Sequence, residues 1–277
     1  MPASINSSTF ETLKDEAMDY EAIESMLREV GRYQLEGFRK LQKDEVHVKE
    51  GGSHGLSVVT EYDLESERRV HDFLHARFPG DSFLGEEHGN VRRDPSRYWI
   101  LDPIDGTSNF TQGVVYWGPT LCLWDAAGPA AGWIYFPALD EMFHARRGEG
   151  ATRNGAPIRA STVAEYSDLC TVATTSRLHR RYRLAVPAKH RVLGSLVVNL
   201  AYLASGAFAA CYCRANVWDV AAGILLAKEA GAVIETKPEL SSIDLAALDP
   251  ARPASLTVLG KANTKLPSLD TYLIPIT

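Results

Sequence analysis

The stretch Tyr98-Trp-Ile-Leu-Asp-Pro-Ile-Asp-Gly-Thr-Ser-Asn-Phe110 constrains this chain more than any other. Its apolar start, Tyr98 to Leu101, reads as a buried strand that stops abruptly at Asp102. Pro103 removes a backbone donor and stiffens the exit. Asp105-Gly106 makes a turn, and Gly106 lets the backbone approach a ligand closely. Thr107 and Ser108 then bring N–H groups and hydroxyls to a point where a helix can begin, an arrangement suited to phosphate. A tight turn between Asp102 and Asp105 lets both carboxylates point at one place. Two converging carboxylates without a cation repel. A hard divalent metal relieves that repulsion, and Mg²⁺ prefers such oxygen ligands. Taken alone, the segment also reads as an ordinary strand and turn with capping aspartates.

The bulk properties narrow the partners. The 277 residues suit one large domain or two small ones. A net charge of -6 argues against a nucleic-acid polymer as partner, which needs clustered Lys and Arg. It leaves an anionic substrate open, because bound metal reverses the sign of a carboxylate-lined pocket. The four cysteines, Cys122, Cys170, Cys211 and Cys213, suggest no disulfide framework and fit a reducing cytoplasm. Met1 to Tyr20 is polar and acidic, unlike a signal peptide. The apolar run Leu196 to Cys213 is short for a membrane span and reads as a buried helix followed by a strand, so no membrane partner is expected.

Periodicity places helices over 10–42, from a capping Asp63 to Phe78, over 195–204 and over 218–230. Strands are expected at 56–60, 98–101, 119–124, 131–136, 141–145, 169–174, 208–212, 232–235 and 256–259. Gly148 to Gly155 reads as a turn cluster. A β-rich first part, 1–150, thus precedes an alternating α/β second part, 151–277.

Two further segments end in acids. Phe83-Leu-Gly-Glu-Glu-His-Gly89 is a short apolar strand running into Glu86 and Glu87. Asn216-Val-Trp-Asp-Val-Ala-Ala-Gly223 sets Asp219 at a helix start, where it would serve as a plain N-cap or present a carboxylate. Ala221, Ala222 and Gly223 allow close packing behind it. The ordered set Asp63, Gly-Glu-Glu (85–87), Asp-Pro-Ile-Asp-Gly-Thr (102–107) and Trp-Asp-x-Ala-Ala-Gly (218–223) resembles the inositol monophosphatase family over roughly residues 10 to 260.

That resemblance implies an α/β fold, a layered α/β/α/β/α sandwich of the inositol monophosphatase and fructose-1,6-bisphosphatase type. It implies Mg²⁺-dependent hydrolysis of a small phosphate monoester by a homodimer holding two or three ions. Glu86, Asp102 and the carbonyl of Ile104 would bind the first metal, and Asp102, Asp105 and Asp219 the second. Thr107, hydrogen-bonded to Asp63, would orient or activate the attacking water, with Glu87 supporting the water network. The N–H groups of Gly106 and Thr107 would hold the phosphate, and Ser195 would face the leaving group. A lysine such as Lys49, near the loop Gly51 to Gly55, would lie over the site.

The substrate side departs from the family pattern. Inositol-hydrolysing members carry a glutamate shortly before the Trp-Asp pair; here Cys211-Tyr-Cys-Arg-Ala-Asn-Val217 has no acid. The stretch from Ser176 to His190 is short and basic, with Arg177, His179, Arg180, Arg181 and Arg183. It reads either as a solvated loop or as a site for a second anionic group. An inositol or sugar phosphate, a 3′-phosphoadenosine-type nucleotide and histidinol phosphate all remain candidate substrates, and a catalytically silent metal-binding regulator is the non-enzyme alternative. Gly51-Gly-Ser-His-Gly55 lacks the strand-to-helix context of a serine nucleophile. His71-Asp-Phe-Leu-His75 lacks the glutamate of a zinc protease.

Overall fold

A computed structural model describes residues 18–40, 47–49, 57–251 and 255–276, with the backbone alone at 47–49, 57 and 58. The expected helix 10–42 appears as α1, Tyr20–Lys40. Its earlier residues, and the loop Gly51 to Gly55, lie outside the described residues. Ile23, Met26, Leu27, Val30 and Gln34 recur at helical spacing and form the buried stripe of α1. The ribbon of β1 (His47–Lys49) and β2 (Ser57–Val59) follows, then α2, Glu61–Arg77.

The start of α2 corrects the sequence reading. Thr60, not Asp63, is the N-cap, and its hydroxyl accepts from the Tyr62 N–H at 3.2 Å. Asp63 sits one turn in and accepts from the Thr60 N–H at 2.7 Å, closing a capping box. The box has an acceptor at each end, so its sequence does not say which residue is the cap.

Eight strands form the large sheet: β3 (Asp81–Gly85), β4 (Gly89–Val91), β5 (Asp94–Asp105), β6 (Gly118–Asp125), β7 (Gly128–Phe136), β8 (Glu141–Arg146), β9 (Gly150–Arg153) and β10 (Ala156–Pro157). Their order is β10-β9-β8-β7-β6-β5-β3-β4. Only β3 and β5 pair in parallel; the other neighbours are antiparallel. The expected turn cluster at 148–155 contains a strand of its own, β9, because Gly148 at φ +79° closes a hairpin back onto β8.

Both faces of this sheet are covered, which explains the uninterrupted apolar run in β5. Trp99 and Leu101 pack with Leu27, Val30, Val70 and Leu74 beneath α1 and α2. Tyr98 and Ile100 face the opposite way, toward a second helical layer. That layer comprises α4 (Leu196–Ala204) and α5 (Val217–Glu229); the short α3 (Thr107–Gln112) precedes them in the chain. Beyond them lies a five-stranded sheet of β11 (Thr171–Thr174), β13 (Lys189–Arg191), β14 (Ala210–Ala215), β15 (Val233–Lys237) and β16 (Leu256–Lys261), ordered β13-β11-β14-β16-β15.

Cys213 of β14 points at α4, where its Sγ lies 3.8 Å from Asn199 Nδ2, and Cys211 packs beside Gly260 on the same side. Tyr212 and Arg214 therefore take the outer face. Short 3₁₀ turns at Leu178–Arg180 and Leu269–Tyr272 form the outermost layer, with the ribbon of β12 (Tyr182–Leu184) and β17 (Leu273–Pro275). The fold is the layered α/β sandwich expected, its last layer built from turns.

Candidate active site

The parallel pairing of β3 with β5 builds the first part of the site. Gly85 is in register with Leu101, so the next residues, Glu86 and Asp102, leave the two strands side by side. The Glu86 N–H donates to the Leu101 carbonyl at 3.2 Å and fixes this exit. The register of β5 with β6 then slips between Asp102 and Asp105, and the Ile104 N–H donates to Asp102 Oδ1 at 2.9 Å. The bulge turns Asp102 inward.

Asp219 arrives from the other side of the chain on the first turn of α5. It is the third helical residue rather than the cap, and it accepts from the Asn216 N–H at 2.7 Å. The small residues behind it allow close packing. A Cβ on Gly223 would lie 2.8 Å from Leu200 Cβ of α4, and a Cβ on Gly132 of β7 would lie 3.0 Å from Ala222 Cα. Ligand oxygens of Glu86, Asp102 and Asp219 all fall within 4.8 Å of one another, with Asp102 buried and the other two partly open to solvent.

These carboxylates are under electrostatic stress. Burial pushes the Asp102 carboxyl well above the usual carboxylate range, and Glu86, Asp105, Asp219 and Asp63 push it further. Burial also raises Asp219, with Glu86 and Asp105 adding to the shift and the Asn216 N–H opposing it. Asp105 stands apart from the three. Its carboxylate accepts from the Ser195 hydroxyl, from the Val197 N–H at 2.8 Å and from the Leu196 N–H at 3.3 Å. Burial lifts it to about 6 despite these donors. Ser195 is buried as the N-cap of α4, so its hydroxyl is turned onto Asp105.

Thr107 opens α3. Its Oγ1 lies 3.2 Å from Asp63 Oδ1 and 3.0 Å from the Ile104 carbonyl. Gly106 caps that helix at φ +93°, and a Cβ there would approach the Tyr116 carbonyl to 2.8 Å. The first N–H groups of a helix have no partner within it, so those following Gly106 are available to a ligand. Glu87 is half-buried beside the acidic cluster, and the Lys49 side chain lies outside the described residues.

One residue of the site was not singled out from the sequence. Glu67 of α2 is fully buried. Its carboxylate accepts from the N–H groups of Glu87 at 2.9 Å and His88 at 2.6 Å, and His88 Nδ1 lies 3.0 Å away. It therefore holds the chain just beyond Glu86. Gly85 has no side chain because one would run into this carboxylate. A signal was present: Glu67 lies one turn after Asp63 on the same helix face, beside buried Ser66 and Val70.

Comparison with known proteins identifies the family. The chain matches the model of the inositol monophosphatase family over residues 15–258. It is 33% identical over 221 residues to a fructose-1,6-bisphosphatase/inositol-1-monophosphatase of Thermotoga maritima, covering 76% of this chain and 81% of that one. It is 33% identical over 239 residues to inositol monophosphatase 3 of Solanum lycopersicum, covering 79% and 86%. Among solved structures, the extragenic suppressor protein suhB of Bartonella henselae superposes with a TM-score of 0.73 at 25% identity, covering 88% of this chain and 93% of that one. The chain belongs to the inositol monophosphatase family and is a phosphoric monoester hydrolase.

Proposed function

We propose that this protein hydrolyses a small phosphate monoester, of the inositol-phosphate or related sugar-phosphate kind, with Mg²⁺ held by Glu86, Asp102 and Asp219. The convergence of those three carboxylates from distant segments carries the reading. The donor set fits such an ion. It offers only oxygen, and its buried acids repel one another until a cation enters. The Ile104 carbonyl and Asp105, at the same bulge, would complete the set for two or three ions. Bound Mg²⁺ supplies positive charge to the phosphoryl oxygens and acidifies water.

The chain's own groups do the rest. The N–H groups at Gly106 and Thr107 orient the phosphate at the start of α3. Thr107 Oγ1 holds the attacking water and passes its proton toward Asp63, which Thr60 keeps in place. Glu67 holds the Glu87 N–H and so steadies the segment that presents Glu86, and the Glu87 carboxylate supports the water network. The first 150 residues thus supply most of this centre, and the remainder supplies Asp219 and the alcohol side. A homodimer is carried over from the family resemblance. The four free, buried cysteines suit a cytoplasmic setting, and among the described residues no helix is long and apolar enough to cross a membrane.

Phosphate release from a generic aryl phosphate tests the reading. Release should require Mg²⁺ and vanish in Asp102→Asn and Asp219→Asn proteins that keep the native circular dichroism spectrum. Most activity remaining in a folded, Mg²⁺-saturated Asp102→Asn protein would refute it. No release from any phosphate ester would favour a silent metal-binding fold.

A further inference from the structure

A cavity of about 1010 Å³ lies between the large sheet and β15, the edge strand of the five-stranded one. Pockets that take small organic ligands span roughly 300–1,000 Å³. Tyr98 and Trp124, in register across β5 and β6, line one wall. The rest of the apolar lining comes from Ile234 of β15 and from Leu240, Ile243 and Leu245 in the segment that follows it. Asn90 pins that segment to β4, its Nδ2 donating to the Leu245 carbonyl at 2.8 Å and to the Leu248 carbonyl at 3.1 Å. One polar group interrupts these apolar walls. Tyr98 is 2% exposed, and its hydroxyl has no hydrogen-bond partner among the described residues. A buried phenol normally finds a partner, and leaving that bond unmade costs stability.

The rim of the cavity is acidic. Glu235, Glu239 and Asp244 are exposed there, with Lys228. Asp125 and Lys237 also border it, but each is engaged elsewhere: Asp125 with Arg147 at 2.9 Å, and Lys237 3.9 Å from Asp270. Among the described residues no ion pair engages the other three carboxylates, so they face the single charge of Lys228 and leave the rim negative. These acids do not converge on a bare metal ion. Among the described residues only Glu86, Asp102 and Asp219 bring three ligand atoms together. The cavity is also clear of that centre. Asp102 follows Tyr98 on β5 at about 13 Å, from the rise of a strand. Lys228 follows Asp219 on α5 at about 14 Å, from the rise of a helix.

We infer that this cavity binds a small organic cation: a protonated amine on a flat apolar body, with a hydrogen-bonding group at its far end. The body lies against Trp124, whose ring both buries apolar surface and attracts a nearby cation. The ammonium meets Glu235, Glu239 and Asp244 at the rim. The far group reaches the Tyr98 hydroxyl and gives it the partner it lacks. Nothing in this site involves the metal centre, so binding is read without turnover.

Calorimetric titration of three matched probes tests it: tyramine, phenethylamine, which lacks the hydroxyl, and 4-ethylphenol, which lacks the charge. Tyramine should bind one to one. It should bind about fivefold tighter than phenethylamine, the worth of one hydrogen bond to a buried group. It should bind about tenfold tighter than 4-ethylphenol at low salt, from several exposed charge contacts, and lose much of that margin at high salt. Tyr98→Phe should erase the first preference and leave the second. Glu235→Gln/Glu239→Gln should cut the second severalfold and leave the first. Both proteins should fold and keep the wild-type rate with an aryl phosphate, because one loses only an unpartnered hydroxyl and the other changes exposed side chains. No saturable binding of either amine would overturn the inference. So would either preference persisting unchanged in the protein designed to remove it, which would place the probe at another site or give the Tyr98 hydroxyl to a water.

Discussion

Thr107 Oγ1 lies 3.2 Å from Asp63 Oδ1, joining the start of α3 to the start of α2 across 44 positions of sequence. The other oxygen of Asp63 is tied to Thr60, by its N–H at 2.7 Å and its hydroxyl at 2.6 Å. One carboxylate thus closes the capping box of α2 and, in the proposed reaction, receives the proton passed on by Thr107. Asp63→Asn should lower kcat with an aryl phosphate by about 10²–10⁴-fold, the usual reach of a positioned proton acceptor. The weakened cap should cost about 1 kcal/mol of stability. Thr107→Ala should match the rate loss without the stability loss, and Thr107→Ser should recover most of the rate. Full activity in Thr107→Ala would remove this pair from the chemistry.

Glu67 is fully buried and holds the N–H groups of Glu87 and His88. Glu67→Gln should therefore raise the Mg²⁺ concentration needed for half-maximal activity about 10–100-fold, the range seen when a ligand's supporting group is lost. The kcat at saturating Mg²⁺ should change much less. An unchanged Mg²⁺ dependence would make Glu67 a structural residue only.

Gly106 is held at φ +93° with the Tyr116 carbonyl 2.8 Å from where a Cβ would stand. Gly106→Ala should destabilise by more than ~1 kcal/mol, because the backbone conformation and the space both exclude a methyl group. Product inhibition by inorganic phosphate should weaken as well. Thermal denaturation and an inhibition constant read the two effects separately.

Without metal, stability should fall as pH rises. Asp105 has its folded-state pKa raised from 3.8 to about 6, and Asp102 and Asp219 are raised too. Each holds its proton more tightly folded than unfolded, so its contribution is full below the unfolded value and is lost as pH climbs through the folded one. The melting temperature of stripped protein should drop between pH 3.8 and about 6. The drop should continue above that range. Asp102→Asn should flatten the slope, and Mg²⁺ at 100 times its dissociation constant should restore about 2.7 kcal/mol at pH 7. An equal slope in wild type and Asp102→Asn would show that the acids do not strain the fold.

The sequence alone marked the candidate metal-binding acids, through the ordered set of motifs rather than through any one of them. Glu86, Asp102 and Asp219 each follow a local signal that needs no partner to be read: an apolar strand that stops in an acid, or an acid in a first helical turn. The buried run from Tyr98 to Leu101 likewise announced a strand covered on both sides. The tertiary structure decided which groups meet. The parallel register of β3 with β5 puts Glu86 beside Asp102, and no pattern within either strand encodes that pairing. Asp105 is turned onto the N-terminus of α4, ninety residues away, while its neighbour Asp102 faces the cluster. Glu67 and the cavity beside Tyr98 became visible only when the layers stacked. Hydrophobic period and capping are short-range properties, written into a few consecutive side chains. Convergence of charge depends on strand register and layer packing, which the whole chain sets together.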